Sequence, residues 1–156
     1  MGTVTVPHVP ASAGRIRRQL TADLQARHVR AAAVDEAALL VTELVGNSVR
    51  HARPLPDGSI LVSWRVEGNR LQVRVTDGGS PEEPHLAHAG PQDTRGRGLS
   101  IVDAIASLWG VERSAGSTTV WATLPVRSTA QRRQRRHPAA AANALGDAGY
   151  RLLSEA

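Results

Sequence analysis

Hydrophobic and polar positions change period several times along this chain, and each change marks an element. Thr3 to Val6 alternate in β-prone fashion and stop at Pro7 and Pro10, which predicts a short first strand. Ser12 is placed to cap a helix reaching about residue 28, with Ile16, Leu20 and Leu24 spaced for one buried stripe. Asp35 is placed to cap a second helix, whose Leu40, Val41, Leu44, Val45 and Val49 would face a core; Pro54, Pro56 and Asp57-Gly58 break it.

Beyond that break the period falls to two. Ile60 to Val66 and Leu71 to Thr76 read as strands joined at Gly68-Asn69, a hairpin. Residues 80–95 hold three Pro and two His without periodicity and read as a mobile loop. Leu99 to Trp109 is predicted as a third helix with Ile101, Val102, Ile105 and Leu108 inward. Val111 to Ala115 and Thr119 to Leu124 then form a second hairpin around Gly116-Ser117, ended by Pro125. Helices on one face of a mixed, mostly antiparallel sheet is the expected architecture, a two-layer α/β (α+β) sandwich.

Composition adjusts this picture in three ways. With no Phe and one Tyr, the core has to be built from Ala, Val, Leu and Ile with three Trp. The absence of Cys excludes a disulfide framework, a thiol nucleophile and a Cys-based zinc site. No stretch approaches the length of a membrane span and no signal peptide is visible at the N-terminus, so a cytoplasmic protein is expected. The formal charge of +5 is unevenly spread. Residues 1–126 carry 13 Arg against 12 acids, whereas residues 127–156 carry 6 Arg against 2. Residues 1–126 are therefore expected to form one domain, and residues 127–156, with the Arg132 to Arg136 run and an Ala-rich stretch, a disordered basic tail.

Three short stretches carry candidate chemistry. Glu43 and Asn47 sit one helical turn apart on one face, continued by Arg50. An amide oxygen beside a carboxylate suits a hard cation and a proton acceptor, although the same spacing fits a polar stripe on an amphipathic helix. Asp77 ends an apolar strand at Gly78-Gly79, where a carboxylate can accept from an exocyclic amine; an ordinary turn fits as well. Gly96-Arg97-Gly98-Leu99 opens the third helix, where backbone N–H groups and the helix dipole favour phosphate, with Arg95 and Arg97 adding charge. This is not the dinucleotide fingerprint, which needs a third glycine and a preceding strand. None of the six His has metal-ligand spacing with another.

In that order and spacing, the three stretches resemble the ATP-binding domain shared by gyrase, heat-shock chaperone, histidine-kinase and mismatch-repair ATPases, the GHKL or Bergerat fold. Within it, the likeness is to the small bacterial anti-sigma factor and serine/threonine kinase branch common in actinomycetes. Residues 43–52 are similar to its N box, Asp77 and Gly79 to its first Gly box, and Gly96 to Leu99 to its second; Thr119 to Pro125 resembles its closing strand. The resemblance implies ATP and Mg²⁺ as cofactors, with Asn47 as the metal ligand and Glu43 as the general base. It implies that Asp77 holds the adenine amine, with Thr119 assisting through water. Gly79, Gly96, Arg97, Gly98 and Leu99 would line the nucleotide under a lid of residues 80–95, and Arg50 falls at a basic phosphate contact. Residues 46 and 48 depart from the pattern, being Gly and Ser where a larger residue and Ala are usual.

Three functions are open on this reading. One is an anti-sigma-type serine/threonine kinase that phosphorylates an anti-anti-sigma partner with ATP. The second is a non-catalytic ATP-binding module that sequesters a sigma factor or another partner, and a second copy of the chain is a further candidate partner. The third, a basic nucleic-acid-binding protein, sits poorly with a near-neutral domain that lacks an aromatic platform. With the domain beginning almost at Met1, a complete sensor histidine kinase is not expected, nor a motor needing a second domain.

Overall fold

Each change of period corresponds to an element in the computed structural model, which describes residues 1–80 and 97–127. β1 (Gly2–Pro7) leads into α1 (Ala11–Ala26) and α2 (Ala31–His51), then β2 (Ser59–Glu67) and β3 (Arg70–Asp77). α3 (Arg97–Ile105), β4 (Leu108–Ser114) and β5 (Ser117–Pro125) follow. The strands form one sheet in the order β1-β2-β3-β5-β4, and every neighbouring pair is antiparallel. The helices pack on one of its faces, giving the expected two-layer sandwich.

The core sits between those layers. Ile16, Leu20 and Leu24 of α1 and Leu40, Val41, Leu44 and Val45 of α2 are buried against Val62, Leu71, Val73, Val75 and Leu124 of the sheet. Each fully buried aliphatic side chain contributes about 1.5–3 kcal/mol, so this stripe-on-sheet match decides the fold. Trp64 joins it with its indole N–H donating to Asp23 of α1 at 2.9 Å. Burial works to raise the Asp23 carboxyl, but hydrogen bonds from Arg27 and Trp64 outweigh it and hold the group below the ordinary value.

Three expected boundaries shift. α1 begins at Ala11 behind Pro10, and Ser12, inside the first turn, donates instead to the Pro7 carbonyl at 2.6 Å. Pro10 already has a helical φ of −54°, so no side-chain cap is needed to start the helix. α2 begins four residues before Asp35, because Ala31, Ala32 and Ala33 are strong helix formers and Ala33 and Val34 are buried. α3 stops at Ile105, and Leu108 and Trp109 open β4. There Ser107 donates backbone N–H and hydroxyl to the Thr123 carbonyl at 2.8 and 3.0 Å, starting the ladder with β5. Leu108 consequently lies 62% exposed instead of inward. The expected lid over 80–95 and the expected tail fall almost entirely outside the described residues. Among the described residues, no helix is long and apolar enough to cross a membrane.

Candidate functional site

α2 carries Glu43, Asn47 and Arg50 along one face. The Arg50 guanidinium donates to Asn47 Oδ1 at 3.1 Å and lies 3.9 Å from the Glu43 carboxylate. Gly46 gives it room, since a Cβ there would stand 3.2 Å from both terminal nitrogens. Two polar atoms beside this cluster, Asn47 Nδ2 and Ser48 Oγ, are buried without a hydrogen-bond partner. A buried orphan costs about 1–3 kcal/mol, and such groups are usually satisfied by water or ligand.

Asp77 ends β3 on the helix-facing side of the sheet and is 4% exposed. Its Oδ1 accepts the Gly79 N–H at 2.9 Å. Burial pushes the Asp77 carboxyl above the ordinary range; the Gly79 N–H, the neighbouring Ser48 hydroxyl and the charge of His8 act the other way without cancelling it. The Ser48 hydroxyl lies beside the carboxylate without a hydrogen bond of ordinary geometry. His8, just past β1, donates from Nε2 to the Ser48 carbonyl at 3.0 Å.

The end of α2 is tied to the end of β3, which sets the spacing between the two clusters. Arg53 N–H donates to the Gly79 carbonyl and Gly78 N–H to the Arg53 carbonyl, each at 2.8 Å. Gly78 is required, because a Cβ would lie 2.1 Å from the Pro54 carbonyl oxygen. Gly79 has a φ of +79°, a conformation glycine adopts without strain, and closes the turn below Asp77.

Not every expected residue joins the cluster. Thr119 pairs with Thr76 across β3 and β5, and their hydroxyls bond at 2.7 Å on the side of the sheet away from the helices. The threonine opposite Asp77 is Thr118, whose Oγ1 would lie 3.1 Å from a Cβ at Gly79. The polar position on the Asp77 face of β5 is therefore Thr118, not Thr119. Counting back in twos from the buried Leu124 and Ala122 reaches Thr118, so the alternation held that signal. Ser48 was visible as a departure from the family pattern, whereas nothing in the sequence singled out His8. Arg97, Gly98 and Leu99 form the first turn of α3, which packs against α2 and buries Val102; Gly96 lies outside the described residues. Among the described residues no three His, Asp or Glu side chains gather to hold a metal ion.

A helical layer bearing a carboxylate and an amide, bound near its end to a sheet strand that buries a carboxylate, gathers polar groups at one end of an α/β sandwich. Residues 6–124 match the model of the histidine kinase-like ATPase domain, and the chain belongs to that family. Among solved structures, the RsbU and RsbW domains of Rv1364c from Mycobacterium tuberculosis share its fold with a TM-score of 0.61 at 21% identity. That match covers 81% of this chain and 33% of the other, so the present chain spans about a third of its length. No curated protein matches the sequence.

Proposed function

We propose that the chain is an ATP-binding regulator of the anti-sigma type, and a kinase that passes the γ-phosphoryl group of ATP to a Ser or Thr of a protein partner. The observation that carries this reading is the tie between Arg53 and Gly78-Gly79, which holds the Glu43–Asn47 face of α2 at a fixed separation from buried Asp77. A nucleotide likewise has two recognisable ends, a base and its phosphates. Asp77 takes the adenine amine through the oxygen not used by Gly79, with Thr118 alongside. Asn47 Oδ1 is a hard oxygen suited to Mg²⁺, which draws its other ligands from phosphate and water. Bound there, the ion would neutralise charge on the phosphates. Arg50 exchanges its bond to Asn47 for the phosphates, and the first turn of α3 supplies N–H groups and a helix dipole.

Glu43 then accepts the proton of the attacking hydroxyl. The partners that fit this chemistry are an anti-anti-sigma protein as acceptor and a sigma factor as the protein held. A sequestering module without catalysis is the second reading, favoured by the 3.9 Å approach of Arg50 to Glu43, which offsets the charge of the base. The test is transfer from labelled ATP to the partner recovered by pull-down. Glu43→Ala is expected to keep ATP and Mg²⁺ binding and to lose roughly 10²–10⁴-fold in transfer. Equal transfer by both proteins would clear Glu43 of the role, and ATP-dependent partner binding without any transfer would establish the sequestering reading.

A further inference from the structure

One side chain reaches both Asn47 and Glu43. The Arg50 nitrogen Nη2 that donates to Asn47 Oδ1 at 3.1 Å is also the one 3.9 Å from the Glu43 carboxylate. A guanidinium only donates, so the amide has to turn its oxygen to Arg50. Its nitrogen is left buried and without a partner. The oxygen that suits Mg²⁺ is thus already engaged by a positive group, which the nearby carboxylate helps to hold. Mg²⁺ takes one or two protein oxygens and completes its shell with water and phosphate, so this pair fits the ion as well as it fits Arg50. Gly46 permits the arrangement. A Cβ there would stand 3.2 Å from both terminal nitrogens of Arg50 and 3.4 Å from the carbon between them, tighter than ordinary contact. The Arg50 side chain is 57% exposed, so it can swing away when a stronger counter-charge arrives.

We propose that Arg50 stands in for the divalent cation in the absence of nucleotide, and that guanidinium and cation exclude each other on Asn47. This deepens the nucleotide reading and rests on it. Two positive groups on one amide oxygen repel each other. Phosphates offer Arg50 a bidentate partner, so a nucleotide draws it off and frees the amide oxygen and the Glu43 carboxylate together. The cation therefore loads more readily with or after the nucleotide than before it, and Glu43 gains its full strength as a base only then. Because the pair is exposed to solvent, the exclusion corresponds to roughly two- to fivefold in cation affinity.

The experiment follows the Asn47 side-chain amide by NMR while Mn²⁺, standing in for Mg²⁺, is titrated into the full chain. Wild type is compared with Gly46→Ala and Arg50→Met, without nucleotide and with a non-hydrolysable ATP analogue. Gly46→Ala keeps every charge but crowds Arg50 off Asn47, which the Asn47 amide shift reports before metal is added. Without nucleotide, both variants are expected to show paramagnetic broadening of Asn47 at roughly two- to fivefold lower Mn²⁺ than wild type. With the analogue, wild type and Gly46→Ala should coincide. A gain confined to Arg50→Met reflects only the loss of a charge and overturns the exclusion. An unchanged Asn47 shift in Gly46→Ala overturns the role given to the glycine. Broadening that is equal in all three proteins, or that requires the analogue in all three, overturns the exclusion while leaving the nucleotide site standing. Broadening that never reaches Asn47, with or without the analogue, overturns the metal assignment and this inference together.

Discussion

A carboxylate kept dry at the end of β3 is a burden on the folded chain unless something arrives to use it. Because burial raises the folded pKa of Asp77 above the ordinary 3.8, its ionised form costs stability at every pH above that folded value. The cost is relieved as pH falls through the folded pKa. Asp77→Asn should therefore melt higher than wild type at neutral pH, with the gap closing on acidification, in thermal melts across a pH series. The same variant should bind ATP more weakly, because its amide can present a donor where the adenine amine needs an acceptor. Gly46→Ala is expected to behave differently. It replaces a helix-interior glycine, worth up to about 1 kcal/mol, and meets only the flexible end of Arg50. Chemical denaturation should show a gain of about 0.5–1 kcal/mol, and Arg50 should leave Asn47.

Between elements, the tie from α2 to β3 is the contact most sensitive to a single atom. Gly78→Ala sets a Cβ against the Pro54 carbonyl, a backbone atom that cannot step aside. A loss of about 1–3 kcal/mol is expected in denaturant titrations, the usual cost of overpacking, together with weaker ATP binding. Asp23→Ala should cost a similar amount, about 1–3 kcal/mol, by stranding the buried indole N–H of Trp64. The pairing of elements was largely legible in advance, because period-two runs and the Ile16-Leu20-Leu24 stripe admit few arrangements. Boundaries were less so. Ala31 to Val34 has no polar cap to announce a helix, and Leu108-Trp109 continues a helical period while being taken up by a strand. The placement of the candidate residues was legible on α2 and at Asp77. It was not at Thr119, since adjacent threonines give no local sign of which faces the helices. Nor was it at His8, which the fold alone brings to Ser48.

At the scale of the molecule, contacts with the sandwich continue for two residues past the end of β5. Val126 is buried and donates its N–H to the Asn69 carbonyl at 2.7 Å, and the Arg127 carbonyl accepts from Arg30 at 3.1 Å. A chain cut after Arg127 should keep its melting temperature and ATP affinity. One cut after Leu124 should lose about 1.5–3 kcal/mol with the burial of Val126. Melts of the two truncations beside the full chain decide it, and a fall of many degrees in the longer one would show that residues beyond 127 belong to the domain.

The pairing of β3 with β5 also makes binding chemistry and folding inseparable. Thr118 and Thr119 are adjacent and alike, so a slip of one residue would leave a threonine opposite Asp77. That slip would also turn Ala122 and Leu124 out to water and push Trp121 and Thr123 into the core, so the misregistered sheet is never a viable competitor. Register at the Asp77 end of the sheet is thus set by the apolar side of β5. A one-residue insertion or deletion inside β5 that shifts its register would therefore disturb the core together with the threonine opposite Asp77.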